Sequence, residues 1–228
     1  MIPTARSVVV LLAVAALLSA FAAGNGVLPG DAAIARGIQA AILPRGLRVA
    51  EAINWLGRAV PGTLVVTLAV AGLLFRKDAR LEASVIAATL PLRLVNGGLK
   101  DLFHSARPGG GAVQVIERAH GQGYPSGHAT GAVLLYGGII AVAPYLTRQP
   151  SRCRLIRLAA VLMIVAAGIS RVAVGAHWPS DVLGGYLWGG VLLGLLLLLY
   201  RWRRDTRCAR PAVAEAAAHQ RHEPKRSP

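Results

Sequence analysis

Three short polar segments interrupt a largely apolar chain, and each carries residue types suited to holding a phosphate. The first runs Lys100-Asp101-Leu102-Phe103-His104-Ser105-Ala106-Arg107-Pro108. The second is Tyr124-Pro125-Ser126-Gly127-His128. The third is Ser170-Arg171, followed after five residues by His177-Trp178-Pro179-Ser180-Asp181. A phosphoryl group in transfer spreads negative charge over its equatorial oxygens, so its stabilisation needs several fixed donors. Lys100, Arg107 and Arg171 supply three cations. The planar arginine fork binds an oxyanion through two hydrogen bonds, whereas lysine acts as a point charge. Only three lysines (Lys77, Lys100, Lys225) stand against 22 arginines, yet a lysine occupies position 100. Taken alone, a basic residue at a helix end would read as a side chain snorkelling to the headgroups.

Ser126-Gly127-His128 opens an apolar run. Serine is a favoured N-cap, and a helix N-terminus presents free N–H groups to an anion. Glycine lets backbone approach the phosphate. The ordinary alternative is a capped helix start with a surface histidine. His177 and Asp181 lie four apart, with Pro179 acceptable near a helix start, so they face each other across a first turn. A carboxylate there fixes the imidazole tautomer and steadies the cation formed as the ring attacks phosphorus. A purely structural His–Asp cap is the competing reading. His104 and His120 fall in solvent-exposed or headgroup-contacting positions, and Trp178, Tyr124 and Trp55 read as interfacial aromatics. Arg93 sits inside an apolar run, where it either pairs within the bundle or reaches toward the site.

Together the segments match Lys-x6-Arg-Pro, Pro-Ser-Gly-His and Ser-Arg-x5-His-x3-Asp. On these motifs, which cover residues 100–181, the chain resembles the type 2 phosphatidic acid phosphatase (PAP2) family, whose site is shared with vanadium haloperoxidases. The resemblance implies an all-α membrane bundle with a haloperoxidase-like four-helix catalytic core. It implies His177 as nucleophile, forming a phosphohistidine that water hydrolyses. It assigns His128 as general acid and Asp181 as the group that orients His177. Lys100, Arg107, Ser126, Gly127 and Arg171 then bind the phosphate. The expected activity is a metal-independent, cofactor-free lipid phosphatase acting on a monoester or diphosphate. Undecaprenyl diphosphate leads, followed by phosphatidylglycerophosphate, phosphatidic acid and lipid A phosphate. Metal catalysis is disfavoured independently, because no His/Asp cluster has metal-ligand spacing and carboxylates are too few for a two-metal site. A phosphoryl transferase of the same family, a haloperoxidase and a non-catalytic phospholipid-binding or transport protein stay open.

The elements that must position these residues are apolar runs. The chain has 228 residues, 54% of them hydrophobic, and a mean hydropathy of +0.52. Six stretches, at about 8–23, 60–75, 83–99, 129–146, 155–169 and 182–200, approach the roughly 20 residues that cross a bilayer core as helix. None of the ten acidic residues lies in the middle of one. The net charge of +15 is gathered between and after the runs, which suits anionic headgroups and not nucleic acid. Arg6, the turn Arg76-Lys77-Asp78-Ala79-Arg80, the arginines between 147 and 157, and the basic tail share one side by parity. The positive-inside rule makes that side cytoplasmic. Both termini are therefore expected in the cytoplasm and all three motifs on the periplasmic side of an inner membrane. Residues 1–205 form the membrane-embedded domain and 206–228 a basic disordered tail. The stretch 31–56 is mildly amphipathic, either lying on the outer surface or serving as a plain connecting helix. The first run, with Arg6 and Ala20-Phe21-Ala22, fits a retained span or a cleaved secretory signal. Cys153 and Cys208, both on the cytoplasmic side, are expected as free thiols. Lipid substrate and membrane lipids are the expected partners.

Overall fold

A computed structural model describes residues 3–25, 27–57, 62–109 and 111–222, with side chains as far as residue 206 except at 24, 25 and 44. They form eight helices: α1 (Ala5–Asn25), α2 (Asp31–Gly57), α3 (Leu64–Arg76), α4 (Arg80–Leu92), α5 (Val95–Phe103), α6 (Gly127–Leu146), α7 (Pro150–Ala173) and α8 (Pro179–His222). Four segments are long and apolar enough to cross a membrane: Ala5–Ala23, Gly127–Leu146, Pro150–Ala173 and Pro179–Thr206. Apolar side chains on their outer faces stay exposed, among them Leu17 at 62% and Leu162 at 58%, as lipid-facing surface does.

α6 is the hub, packed against α4, α7 and α8 and touching α2 and α3. Leu135, Ile139 and Val142 on one of its faces meet Leu74 of α3, Ile86 of α4 and Ala160 of α7. Leu134 on another meets Val85 of α4 and Leu193 and Leu197 of α8. Small residues bring α8 in close. A Cβ on Gly185 would stand 2.6 Å from the Ser126 carbonyl oxygen, and one on Gly189 2.9 Å from that of Thr130. Without a hydrophobic force between helices in lipid, such backbone approach is a main source of packing. It sets the start of α8 directly against the start of α6.

Two expected spans differ from their sequence reading. The run at 83–99 is two helices, α4 and α5, joined by i→i+3 bonds such as Arg93 N to the Leu90 carbonyl (3.2 Å) and Asn96 N to the Arg93 carbonyl (3.1 Å). Pro91 and the weak helix formers Gly97 and Gly98 flank this turn. The run expected from residue 60 is described from residue 62, and α3 has only 13 residues. At the other end, α8 continues as helix to His222, over residues whose sequence predicts disorder. Ala212, Ala214 and Ala216 to Ala218 there are strong helix formers. Cys153 is a free thiol; the Cys208 side chain lies outside the described residues.

α1 is tied in by a buried serine. Ser19 Oγ donates back to the Ala15 carbonyl (2.7 Å), leaving its lone pairs for Trp188 Nε1 (3.0 Å) and the Tyr124 hydroxyl (2.9 Å). The amphipathic stretch is a helix, α2, whose Ala35 and Ala50 are buried as it packs along α7.

Candidate active site

The three motifs meet where α5 ends and α6 and α8 begin. Lys100 lies in the last turn of α5 and donates from Nζ to the carbonyls of Gln122 (2.6 Å) and Gly123 (3.1 Å). Arg107 sits in the following loop, held by three backbone carbonyls. Nε donates to Gly121 (2.8 Å), Nη1 to Ala176 (2.8 Å) and Nη2 to His120 (3.0 Å). Arg171, at the end of α7, is 2% exposed and pairs through Nη1 with Glu117 Oε2 at 3.0 Å. Its helix gives way to a turn at Gly175, whose φ of +70° favours glycine and whose Cβ would collide with the Gln114 carbonyl. The turn is pinned from outside by Ile116 and Glu117, whose N–H groups donate to the Val174 carbonyl at 3.0 and 3.1 Å.

That turn delivers His177 into the centre. Nδ1 is 3.2 Å from Asp181 Oδ2, and Nε2 is 3.1 Å from Arg107 Nη1. A carboxylate on one side and a guanidinium donor on the other select the tautomer with the proton on Nδ1 and a lone pair on Nε2. Asp181 Oδ2 also accepts the Trp178 N–H at 3.0 Å. The Ser126 N–H donates to the Asp181 carbonyl at 2.9 Å, which joins the second motif to the third. Ser126 Oγ is fully buried, with no hydrogen-bond partner among the described residues. Gly127 begins α6; a Cβ there would stand 3.2 Å from Asn96 Nδ2. His128, one residue on, donates from Nε2 to the Asn54 carbonyl at 3.2 Å.

Burial comes first in setting the charge state of His177, holding its pKa well below the usual 6.5; Arg107, Lys100, Arg171 and His128 push the same way. The ring is therefore neutral at pH 7. Burial, then the Arg107 charge, lowers the Lys100 ammonium to about 8, with Asp181 opposing. Arg107 is lowered chiefly by burial and stays cationic. His177 thus lies within electrostatic reach of Lys100, Arg107, Arg171 and His128, and its ring contacts Arg107 and Asp181. A cavity of about 540 Å³ opens beside Arg107, lined also by Glu117, Arg118 and His120. A neutral imidazole amid three cations, beside a helix N-terminus, can attack a phosphoryl group and neutralise its oxygens.

Several supporting residues carry no sequence signal. Asp31, at the start of α2 and 4% exposed, accepts from Ser180 N (2.9 Å), Ser180 Oγ (2.6 Å) and Leu28 N (2.9 Å). It clamps α2 to the residue preceding Asp181. Gln39 exchanges two bonds with Gln114, at 2.7 and 3.0 Å, and donates to the Ala173 carbonyl at 3.2 Å. Asn54 Oδ1 accepts from Ser170 Oγ at 2.9 Å. Asn96 Oδ1 accepts from Thr130 Oγ1 at 2.8 Å, steadying the first turn of α6. Arg93 reaches through the α4–α5 turn to Thr63 Oγ1 (2.8 Å) and the Gly57 carbonyl (3.0 Å), so it pairs within the bundle.

Two aromatic expectations are corrected. Tyr124 is fully buried, edge-on to Phe103 at 5.5 Å, and Trp178 is 3% exposed in the apolar cluster beneath the site. Neither lies in a headgroup belt; both fill the space behind the polar ring. Trp55 is 49% exposed. His104 ends α5 in the left-handed conformation with its side chain exposed, and His120 contributes only its carbonyl, to Arg107.

Comparison with known proteins bears on this geometry. Phosphatidylglycerophosphatase B of Bacillus subtilis (strain 168) is 35% identical over 109 residues, 46% of this chain and 48% of that protein. A lipid A 1-phosphatase of Rhizobium etli is 30% identical over 79 residues, 35% of this chain and 30% of that protein. The aligned stretches thus span half or less of these curated relatives. The crystal structure described as the first transmembrane PAP2 type phosphatidylglycerolphosphate phosphatase, from Bacillus subtilis, superposes with a TM-score of 0.71 at 26% identity. The match covers 86% of this chain and 96% of that one. The family model of the PAP2 superfamily matches residues 81–205, more than half the chain and all of α5 to α7. Apolar helices, a transmembrane structural counterpart and the family match agree: this is a multi-pass membrane protein belonging to the PAP2 superfamily.

Proposed function

We propose that the chain hydrolyses a lipid phosphomonoester or diphosphate, without a metal ion, through a phosphohistidine on His177. The observation that carries this reading is His177 itself, buried and neutral, with its two nitrogens committed to Asp181 and Arg107. An arriving phosphate exchanges the Arg107 N–H···N contact for N–H···O contacts, which uncovers the Nε2 lone pair. Nε2 then bonds to phosphorus as the bond to the lipid oxygen breaks, and His128 gives that oxygen a proton. Asp181 holds the Nδ1 proton of the resulting cationic ring. Lys100, Arg107, Arg171, the Ser126 hydroxyl and the first N–H groups of α6 take the phosphoryl oxygens. Water, giving its proton to His128, finally displaces His177 and releases inorganic phosphate.

In this reading the α3 and α4–α5 segments cross the bilayer with the four longer spans, and the site opens on the non-cytoplasmic face. Headgroups enter from the side while acyl or prenyl tails stay in lipid. Names of the relatives favour phosphatidylglycerophosphate as first substrate to test, ahead of phosphatidic acid, undecaprenyl diphosphate and lipid A 1-phosphate. The test is phosphate release by purified protein from these lipids, with EDTA present and with acceptor alcohols added. Release that survives EDTA and disappears in His177→Ala, with lipid binding retained, is the expected result. Unchanged release by that variant, or loss with EDTA, would sink the proposal.

A further inference from the structure

About 26 Å along α6 from His128, counted at 1.5 Å per residue over the 17 residues to Tyr145, the bundle has a second polar cavity. That separation is close to the thickness of a bilayer core, so the two lie at opposite membrane faces. The cavity holds about 220 Å³ and is lined by Val85, Val142 and Leu197 within and by Tyr145, Arg157 and Arg204 at its mouth.

Its construction follows from one proline. Pro144 in the last turns of α6 has no N–H to give the Ile140 carbonyl. Arg157 of α7 supplies the missing donor from Nε at 3.4 Å. Arg157 itself lines the cavity. Arg204 of α8 lies with its guanidinium carbon 6.0 Å from the Tyr200 ring centre. Of the carboxylates here, Glu82 is 7% exposed and already accepts from Tyr200 (2.7 Å), which lies 3.2 Å from the Tyr145 hydroxyl, and the exposed Asp205 stands 3.9 Å from Arg204 Nε and 3.8 Å from Arg201 Nε. Lys77 and Arg148 line an adjoining cavity of about 430 Å³ that shares Pro144 and Tyr145. With Arg157, Arg204, Lys77 and Arg148 against the exposed Asp205, the mouth is positive on balance, the floor is apolar, and no motif residue contributes.

We propose that this cavity is a second, non-catalytic site for an anionic phospholipid of the leaflet facing it, with phosphate on Arg157 and Arg204 and an acyl chain against Val85, Val142 and Leu197. The apolar floor favours a lipid over free phosphate. The proposal rests on the membrane placement and not on the phosphatase chemistry.

Native mass spectrometry of the full chain in detergent tests it, with dioleoylphosphatidylglycerol or dioleoylphosphatidylcholine added. Phosphatidylglycerol should be retained in preference. Arg204→Gln should weaken its retention about fivefold and Arg157→Gln with Arg204→Gln about thirtyfold. Phosphatidylcholine retention and hydrolysis of a soluble phosphomonoester should not change. Arg204 is half exposed, so the single variant stays informative if the double variant fails to fold. Equal retention of both lipids by the unmodified chain, or full preference in Arg204→Gln, would overturn the proposal. Displacement of the lipid by millimolar inorganic phosphate would show a headgroup-only site and overturn the lipid assignment.

Discussion

Replacing Asp181 by asparagine separates two ways in which this residue can assist His177. If Asp181 only orients the ring, the variant loses one charge-assisted hydrogen bond, worth about 1.5–3 kcal/mol and so roughly 10- to 150-fold in rate. If it also stabilises charge, the cost is larger, because His177 becomes a cation when it attacks phosphorus. Opposite unit charges at the observed 3.2 Å, in an effective dielectric of about 20, attract by roughly 5 kcal/mol, or between about 10³- and 10⁴-fold in rate. With both groups buried, the larger figure is expected. The assay is single-turnover release of phosphate from a lipid phosphomonoester, with acid-stable trapping ruled in or out by the lability of phosphohistidine. Thermal melting in the same detergent serves as the folding control, since Asp181 also accepts the Trp178 N–H. A folded Asp181→Asn protein within tenfold of the unmodified rate would refute the charge argument and weaken the nucleophile assignment with it.

His128→Ala should lose about 10²- to 10⁴-fold on a lipid phosphate but far less on p-nitrophenyl phosphate, whose leaving group needs no proton; equal losses on both substrates would count against a general acid. The pH profile of kcat/KM should decline above pH 8 as Lys100, lowered to about 8, loses its proton. Lys100→Arg should remove that alkaline decline, since arginine stays charged. The contribution of His177 to folding stability, read as the difference from His177→Gln in denaturant titrations, should fall below pH 6.5, because the unfolded chain then binds a proton at His177 that the folded chain refuses. Asp31→Ala should cost about 3 kcal/mol in a denaturant titration by stranding two buried donors of Ser180 and the half-buried N–H of Leu28, with a smaller loss in Asp31→Asn.

The chemistry-bearing residues were legible because their types and short spacings are dictated by phosphate and by the helix turn. Lys100 to Arg107, Ser126 to His128 and Arg171 to Asp181 each lie within one local stretch, and the structure draws them together. α1, α6, α7 and α8 were legible as apolar runs. The α4–α5 break was not, because hydropathy reads straight through Arg93 and the paired glycines. Tyr124 and Trp178 were assigned to headgroups for the amphipathic character that such rings have anywhere. Their burial depends on Gly184, against which the Tyr124 ring packs, and on the cluster around Val182. Asp31, Gln39 and Asn54 were invisible for a geometric reason: the partners that tie them to the site lie 63 to 149 residues away, beyond any local pattern.

All three of those side chains belong to α2, outside the 81–205 region that defines the family match. In the proposed mechanism the proton donor is His128, whose ring donates to the Asn54 carbonyl of a helix that the motifs do not include. Sequence drift in α2 can retune the proton donor while every signature residue stays in place, so relatives with identical motifs need not share a pH response or a leaving-group preference.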